Sequence, residues 1–154
     1  MNLVVSSMPN YKPYFGAQIR ITREDPSILT RRQLHKGVLD LSGEEVTEVK
    51  ALLDKLYNTA PNICYILSDR RFLRREYIKG KEGDFVGRMQ QLDNEVLHQP
   101  LRFDMKALLS TMIEDAENYG KPYPRDSKEW IDVPLNIKEP TDLLNHPVFI
   151  NYYS

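Results

Sequence analysis

Residues 41 to 68, LSGEEVTEVKALLDKLYNTAPNICYILS, constrain the fold more than any other stretch. Ser42 has the chemistry of a helix N-cap, and Glu45 three positions later completes a capping box. Val46, Val49, Leu52, Leu53 and Leu56 then recur at helical spacing, and Pro61 marks the stop. The compact apolar run that follows, NICYILS, suits a buried strand. A one-sided helix leading straight into a buried strand calls for a sheet with helices packed on it.

The rest of the chain is read around that unit. Leu3 to Ser6 is a short β-prone run. In Phe15 to Thr22 the residues Phe15, Ala17, Ile19 and Ile21 alternate with Gln18, Arg20 and Thr22, as in a half-buried strand. TREDPSILTRRQLHKG, polar and carrying Pro26, reads as a loop with room for a helical turn. Leu67 to Ile78 reads as a helix with Ser68 as its cap, and KGKEGD as a turn. Phe85, Met89, Leu92 and Val96 predict a further amphipathic helix ending before Pro100. Met105, Leu108, Leu109, Met112, Ile113 and Ala116 form a full apolar helical stripe, with Gly120 at the C-cap position.

The last 34 residues, 121–154, hold five of the ten prolines together with Trp130, Phe149, Tyr152 and Tyr153. Disordered tails are poor in aromatics, so this segment is expected to wrap the core as extended chain, with VFINYY joining the sheet. The expected architecture is α+β: a small mixed sheet packed by three or four helices, in a single domain spanning residues 1–154.

Composition narrows the function classes. A chain of 154 residues can bury one core. Net charge is −1, so no global field draws the protein to nucleic acid or to an anionic membrane. No apolar run approaches the roughly 18 residues of a membrane span, and the N-terminal MNLVVSSMPN lacks the basic leader of a secretory signal. Cys64 is the single cysteine and there is no Asn-x-Ser/Thr sequon. A cytoplasmic or other reducing compartment, or unconventional delivery, fits this best.

Local chemistry gives little support to catalysis. Cys64 lies between Ile63 and Tyr65 in an apolar run, without the cationic or helix-terminal setting that activates a thiolate. His35, His98 and His146 have no second ligand at metal-binding spacing. The carboxylates Glu44, Glu45, Glu48, Glu114, Asp115 and Glu117 fall mainly on polar helix faces. No Walker loop, nucleophile elbow or dinucleotide fingerprint is present. No cofactor and no metal are expected.

The remaining signal is RRFLRREYIKGKEGDF, residues 70–85. Ser68 to Lys81 holds six basic residues against Asp69 and Glu76, a local balance of +4. On the predicted helix, Arg70, Arg71, Arg74 and Arg75 would share one broad face. Gly80 and Gly83, followed by Val86 and Met89, locally resemble the Gly-x-x-Gly loop of the KH RNA-binding module, which grips a nucleic-acid backbone. Glu82 and Asp84 depart from that pattern by placing negative charge where phosphate would sit.

Three expectations follow, in order of support. The first is a soluble, non-enzymatic interaction or regulatory protein that binds another protein through Arg70, Arg71, Arg74, Arg75 and Tyr77, with Lys79 and Lys81 alongside. The second is a nucleic-acid or phosphate-ligand binder using the same basic stretch. The third is an enzyme whose site is assembled from distant segments. A homodimer is left open, and no membrane partner is expected. The acidic stretches Glu44–Glu48 and Glu114–Glu117 are the candidates to neutralise the arginines within the fold.

Overall fold

Ala17, Ile19 and Ile21 are buried while Arg20 between them is exposed, so the predicted alternation is that of a real strand, β1 (Gln18–Ile21). The computed structural model describes residues 16–21, 27–67, 72–79, 85–92, 104–119 and 132–150. Within them β1 is followed by helices α1 (Ser27–Leu39) and α2 (Gly43–Thr59), then strands β2 (Ile63–Leu67), β3 (Phe72–Lys79) and β4 (Phe85–Gln91). Helix α3 (Met105–Asn118), a 3-10 helix (Pro140–Asn145) and strand β5 (Phe149–Ile150) complete the order.

The strands form one mixed sheet in the order β4-β3-β2-β1-β5. β1 is parallel to both of its neighbours, whereas β2, β3 and β4 pair antiparallel. The fold is α+β, with a small mixed sheet packed by helices, as the sequence predicts.

The capping box is present: Ser42 Oγ accepts from Glu45 N and Glu45 Oε1 accepts from Ser42 N. Val49, Leu53 and Leu56 of α2 enter the core with Leu34 and Val38 of α1 and the apolar stripe of α3. Ile19, Ile21, Ile63, Tyr65, Leu67 and Phe72 supply the sheet side of the same cluster, and Leu143, Leu144, Val148 and Phe149 extend it. Gly16 lets β1 start against the end of α2, since a Cβ there would stand 2.5 Å from Tyr57 O. Asn62, at φ 60°, turns the chain from α2 into β2 in the left-handed region that asparagine tolerates.

Three sequence expectations are corrected. Residues 27–39 are helical instead of a loop. Leu34 and Val38, four apart, give α1 its buried side. Residues 72–78 of the predicted helix Leu67–Ile78 belong instead to strand β3, which runs on through Lys79. Burial alternates there as Phe72 in, Leu73 half-out, Arg74 in, Arg75 half-out, Glu76 in, Tyr77 half-out. Charges at the inward positions 74 and 76 hide that period of two. Residues 85–91, also predicted as helix, are the edge strand β4. The helices flanking a KH loop are therefore absent on both sides, and β3 and β4 pair antiparallel with Lys79 opposite Phe85. The predicted strand at residues 3–6, the turn residues 80–84 and the Gly120 cap lie outside the described residues.

Candidate functional site

Strand parity divides the arginine stretch. Tyr65, Arg74 and Gln90 stand side by side across β2, β3 and β4 on the face that carries the helices, while Cys64, Arg75 and Met89 stand side by side on the other. Arg74 and Arg75 thus point to opposite sides of the sheet and do not form one surface.

On the helix side, Arg74 is 8% exposed. Its Nη1 donates to both carboxylate oxygens of Asp115 on α3, at 2.7 and 2.8 Å, and its Nη2 donates to Gln90 Oε1 at 2.6 Å. The guanidinium also lies over the Tyr119 ring, 4.8 Å from its centroid. Tyr65 donates its hydroxyl to Asp115 Oδ2 at 2.7 Å. Glu76, 3% exposed, accepts from Arg88 Nη2 at 3.2 Å and faces Arg74 at 3.6 Å. A buried charge is tolerated only when paired and hydrogen-bonded, and each of these is.

Titration follows from that packing. Burial works to lower the Arg74 pKa, but the hydrogen bond and charge of Asp115, with Glu76 behind it, reverse this and hold the guanidinium more firmly protonated. Burial works to raise Glu76, and the hydrogen bonds from Tyr119 and Arg88, with their positive surroundings, carry it below the usual carboxylate value. Burial and the Glu76 hydrogen bond push Tyr119 up to about 12. Beside this network opens a cleft of about 550 Å³, lined by Arg74, Glu76 and Arg88 with Gln90, Asp115 and Tyr119, and bordered by Met89 and Asn118.

On the opposite face Arg75 lies across the neighbouring strand at Gly87, where a Cβ would stand 2.9 Å from its Nε. The guanidinium carbon is 5.5 Å from the Tyr77 ring centroid. Cys64 sits beneath, 2% exposed, its thiol pushed up to about 12 by burial against the smaller opposing pull of Arg20 and Arg75. Met89 is 51% exposed on this side. The outward strand positions of the described sheet carry Arg20 and Arg75 and no carboxylate.

A second polar cluster joins the C-terminal segment to α2. His146 accepts from Val148 N at its Nδ1, so Nε2 carries the proton and donates to Asp54 Oδ1 at 2.9 Å. Lys50 spans Asp54, Asp132 and the Val133 carbonyl. The histidine is 1% exposed and contacts Asp54, the Val148 backbone and the Tyr57 ring.

Of the residues predicted to bind a partner, Arg75 and Tyr77 share the outward face, and Lys79 ends β3 at the same strand parity. Arg74 is turned inward and neutralised by Asp115, one of the acidic residues suspected of that role. Arg70, Arg71 and Lys81 lie outside the described residues. Sequence reasoning missed Gly87, Arg88, Gln90 and Tyr119. Asp115 carried one usable signal: it follows Met112 by three residues and so borders the buried stripe of α3.

Among the described residues no group of three or more His, Cys, Asp or Glu is placed to hold a metal ion, and no helix is long and apolar enough to cross a membrane. Compared with models of protein families, with curated proteins and with solved structures, the chain matches none.

Proposed function

We propose that the protein is a non-enzymatic interaction or regulatory protein that binds an acidic surface of a partner protein through the outward face of its sheet. Arg75 is the centre of this surface, with Arg20, Tyr77 and Met89 around it. The observation that carries the reading is the sorting of charge by the sheet: Arg74 is neutralised inside, whereas the described outward strand positions bear arginine without any carboxylate. Arginine and tyrosine are the residue types most often found at interface hot spots, and methionine is enriched in interface cores.

A protein partner is favoured over nucleic acid by the make-up of the surface. Affinity for a phosphate backbone grows with the number of phosphates neutralised. The described face offers Arg20 and Arg75, with Lys79 at the same strand parity, among Leu73, Tyr77 and Met89, a mixture closer to a protein interface.

The test is affinity purification of the tagged protein from its own cells after nuclease treatment, with wild type beside Arg75→Glu. The reading expects a stoichiometric protein partner that the variant loses while its melting temperature is kept. A partner retained by a folded Arg75→Glu variant, or one released by nuclease, would remove this reading.

A further inference from the structure

We propose that the cleft between β3, β4 and the C-terminal end of α3 is a binding site for a small organic carboxylate, with Arg88 as the residue that receives it. The site lies on the helix side of the sheet and does not depend on the outward face being an interaction surface. Its volume, about 550 Å³, falls within the range of about 300–1,000 Å³ typical of small-molecule sites.

The ligand class follows from which hydrogen-bonding groups are already used. The two acidic residues in the lining are occupied: Asp115 accepts from Arg74 and Tyr65, and Glu76 accepts from Arg88 and Tyr119. The donors are less fully used. Arg88 has five N–H groups, yet among the described residues it donates to one acceptor, Glu76, and its side chain is 68% exposed. Gln90 gives its oxygen to Arg74, which leaves its amide N–H groups for another acceptor. A cleft whose acceptors are occupied and whose donors are not is suited to a ligand that accepts.

Two further features narrow the anion. Asp115, Asn118 and Tyr119 belong to the last turn of α3 and its cap, where the helix dipole presents its negative end. That end opposes a doubly charged phosphate more than a singly charged carboxylate. The Tyr119 ring also lines the cleft and offers apolar surface to the body of the ligand. Arg88 held by Glu76 gives a guanidinium fixed from one side, suited to bidentate capture of a planar carboxylate.

The experiment is a titration of the full chain, followed by amide chemical shifts, with phenylacetate, inorganic phosphate and 2-phenylethylamine as three separate probes. The expected result is saturable binding of phenylacetate, with shifts at Arg88, Gln90 and Asn118, and at least about tenfold weaker binding of the other two. Arg88→Gln should weaken phenylacetate by about tenfold or more, the scale of one charge-assisted contact. Asn118→Asp, an exposed substitution that adds a repelling charge at the mouth, should weaken it as well and decides the matter should Arg88→Gln not fold. Absence of phenylacetate binding, binding of the amine or phosphate as tightly, or unchanged affinity in a folded variant would each overturn the proposal.

Discussion

Arg75 lies across Gly87 of the neighbouring strand, so close that a Cβ at position 87 would stand 2.9 Å from its Nε and 3.3 Å from its Nη2. The glycine leaves the space in which the guanidinium rests against the sheet beside Tyr77. Gly87→Ala should therefore displace the Arg75 head without unfolding the protein, because the group displaced is the end of a flexible side chain. Stability should change by less than about 1 kcal/mol, the span of β propensity. The shift of the Arg75 Nε–H resonance, read beside a thermal melt, checks this; an unmoved resonance would show that the residues do not touch.

The neighbours Arg74 and Arg75 should respond in opposite ways to the same change. Arg74→Ala leaves the half-buried Asp115 and the buried Glu76 carboxylates without this cation, a loss of up to about 3–5 kcal/mol, the scale of a broken buried pair. Arg75→Ala removes a half-buried side chain for which the described residues supply no ion pair, and should cost less than about 1 kcal/mol. Urea denaturation of the two variants compares them directly. Equal losses would contradict the assignment of the two residues to opposite faces.

Acid should loosen the attachment of the C-terminal segment. Burial lowers the His146 pKa below its ordinary 6.5, outweighing the opposite pull of Asp54. The unfolded chain therefore takes up the proton first. The stability that the neutral ring contributes is whole above about pH 6.5. It falls as pH drops below that value, until the buried ring itself protonates. Glu45, Glu76, Asp132 and Asp142 have lowered values too, so their contributions are lost only at more acid pH. Melting temperatures between pH 7.5 and 5.5 should decline, and His146→Gln should flatten the decline. A pH-independent melt of the wild type over that range would refute it.

Cys64 should be unreactive in the native state. Its thiol is buried and pushed up to about 12, which leaves almost no thiolate at neutral pH. An aromatic disulfide reagent should label it only in denaturant. Rapid labelling of the folded protein would show that the outward face opens at this point.

The parts of the fold that were legible in the sequence are those with local, redundant signals. Ser42 and Glu45 mark the start of α2 because both halves of the capping box are written within four residues. The stripe from Met105 to Ala116 matches the buried side of α3 residue for residue. β3 was misread because its inward positions hold Arg74 and Glu76, whose burial depends on Asp115 forty-one residues from Arg74. No local pattern encodes that pairing. β4 was misread because Phe85, Met89 and Leu92 satisfy helical spacing while an edge strand exposes most of its side chains. The cleft was invisible for the same reason, since β3, β4 and α3 meet only through the tertiary fold.

Position-specific photo-crosslinking tests the proposed interaction face most directly. A benzophenone amino acid at Met89, on the outward face, is compared in cells with the same group at the exposed Glu44 of α2. The account predicts a discrete, nuclease-resistant protein adduct from position 89, absent from position 44, and lost when Arg75→Glu is added. An adduct from position 44 alone, or one at position 89 that survives Arg75→Glu or disappears with nuclease, would contradict it.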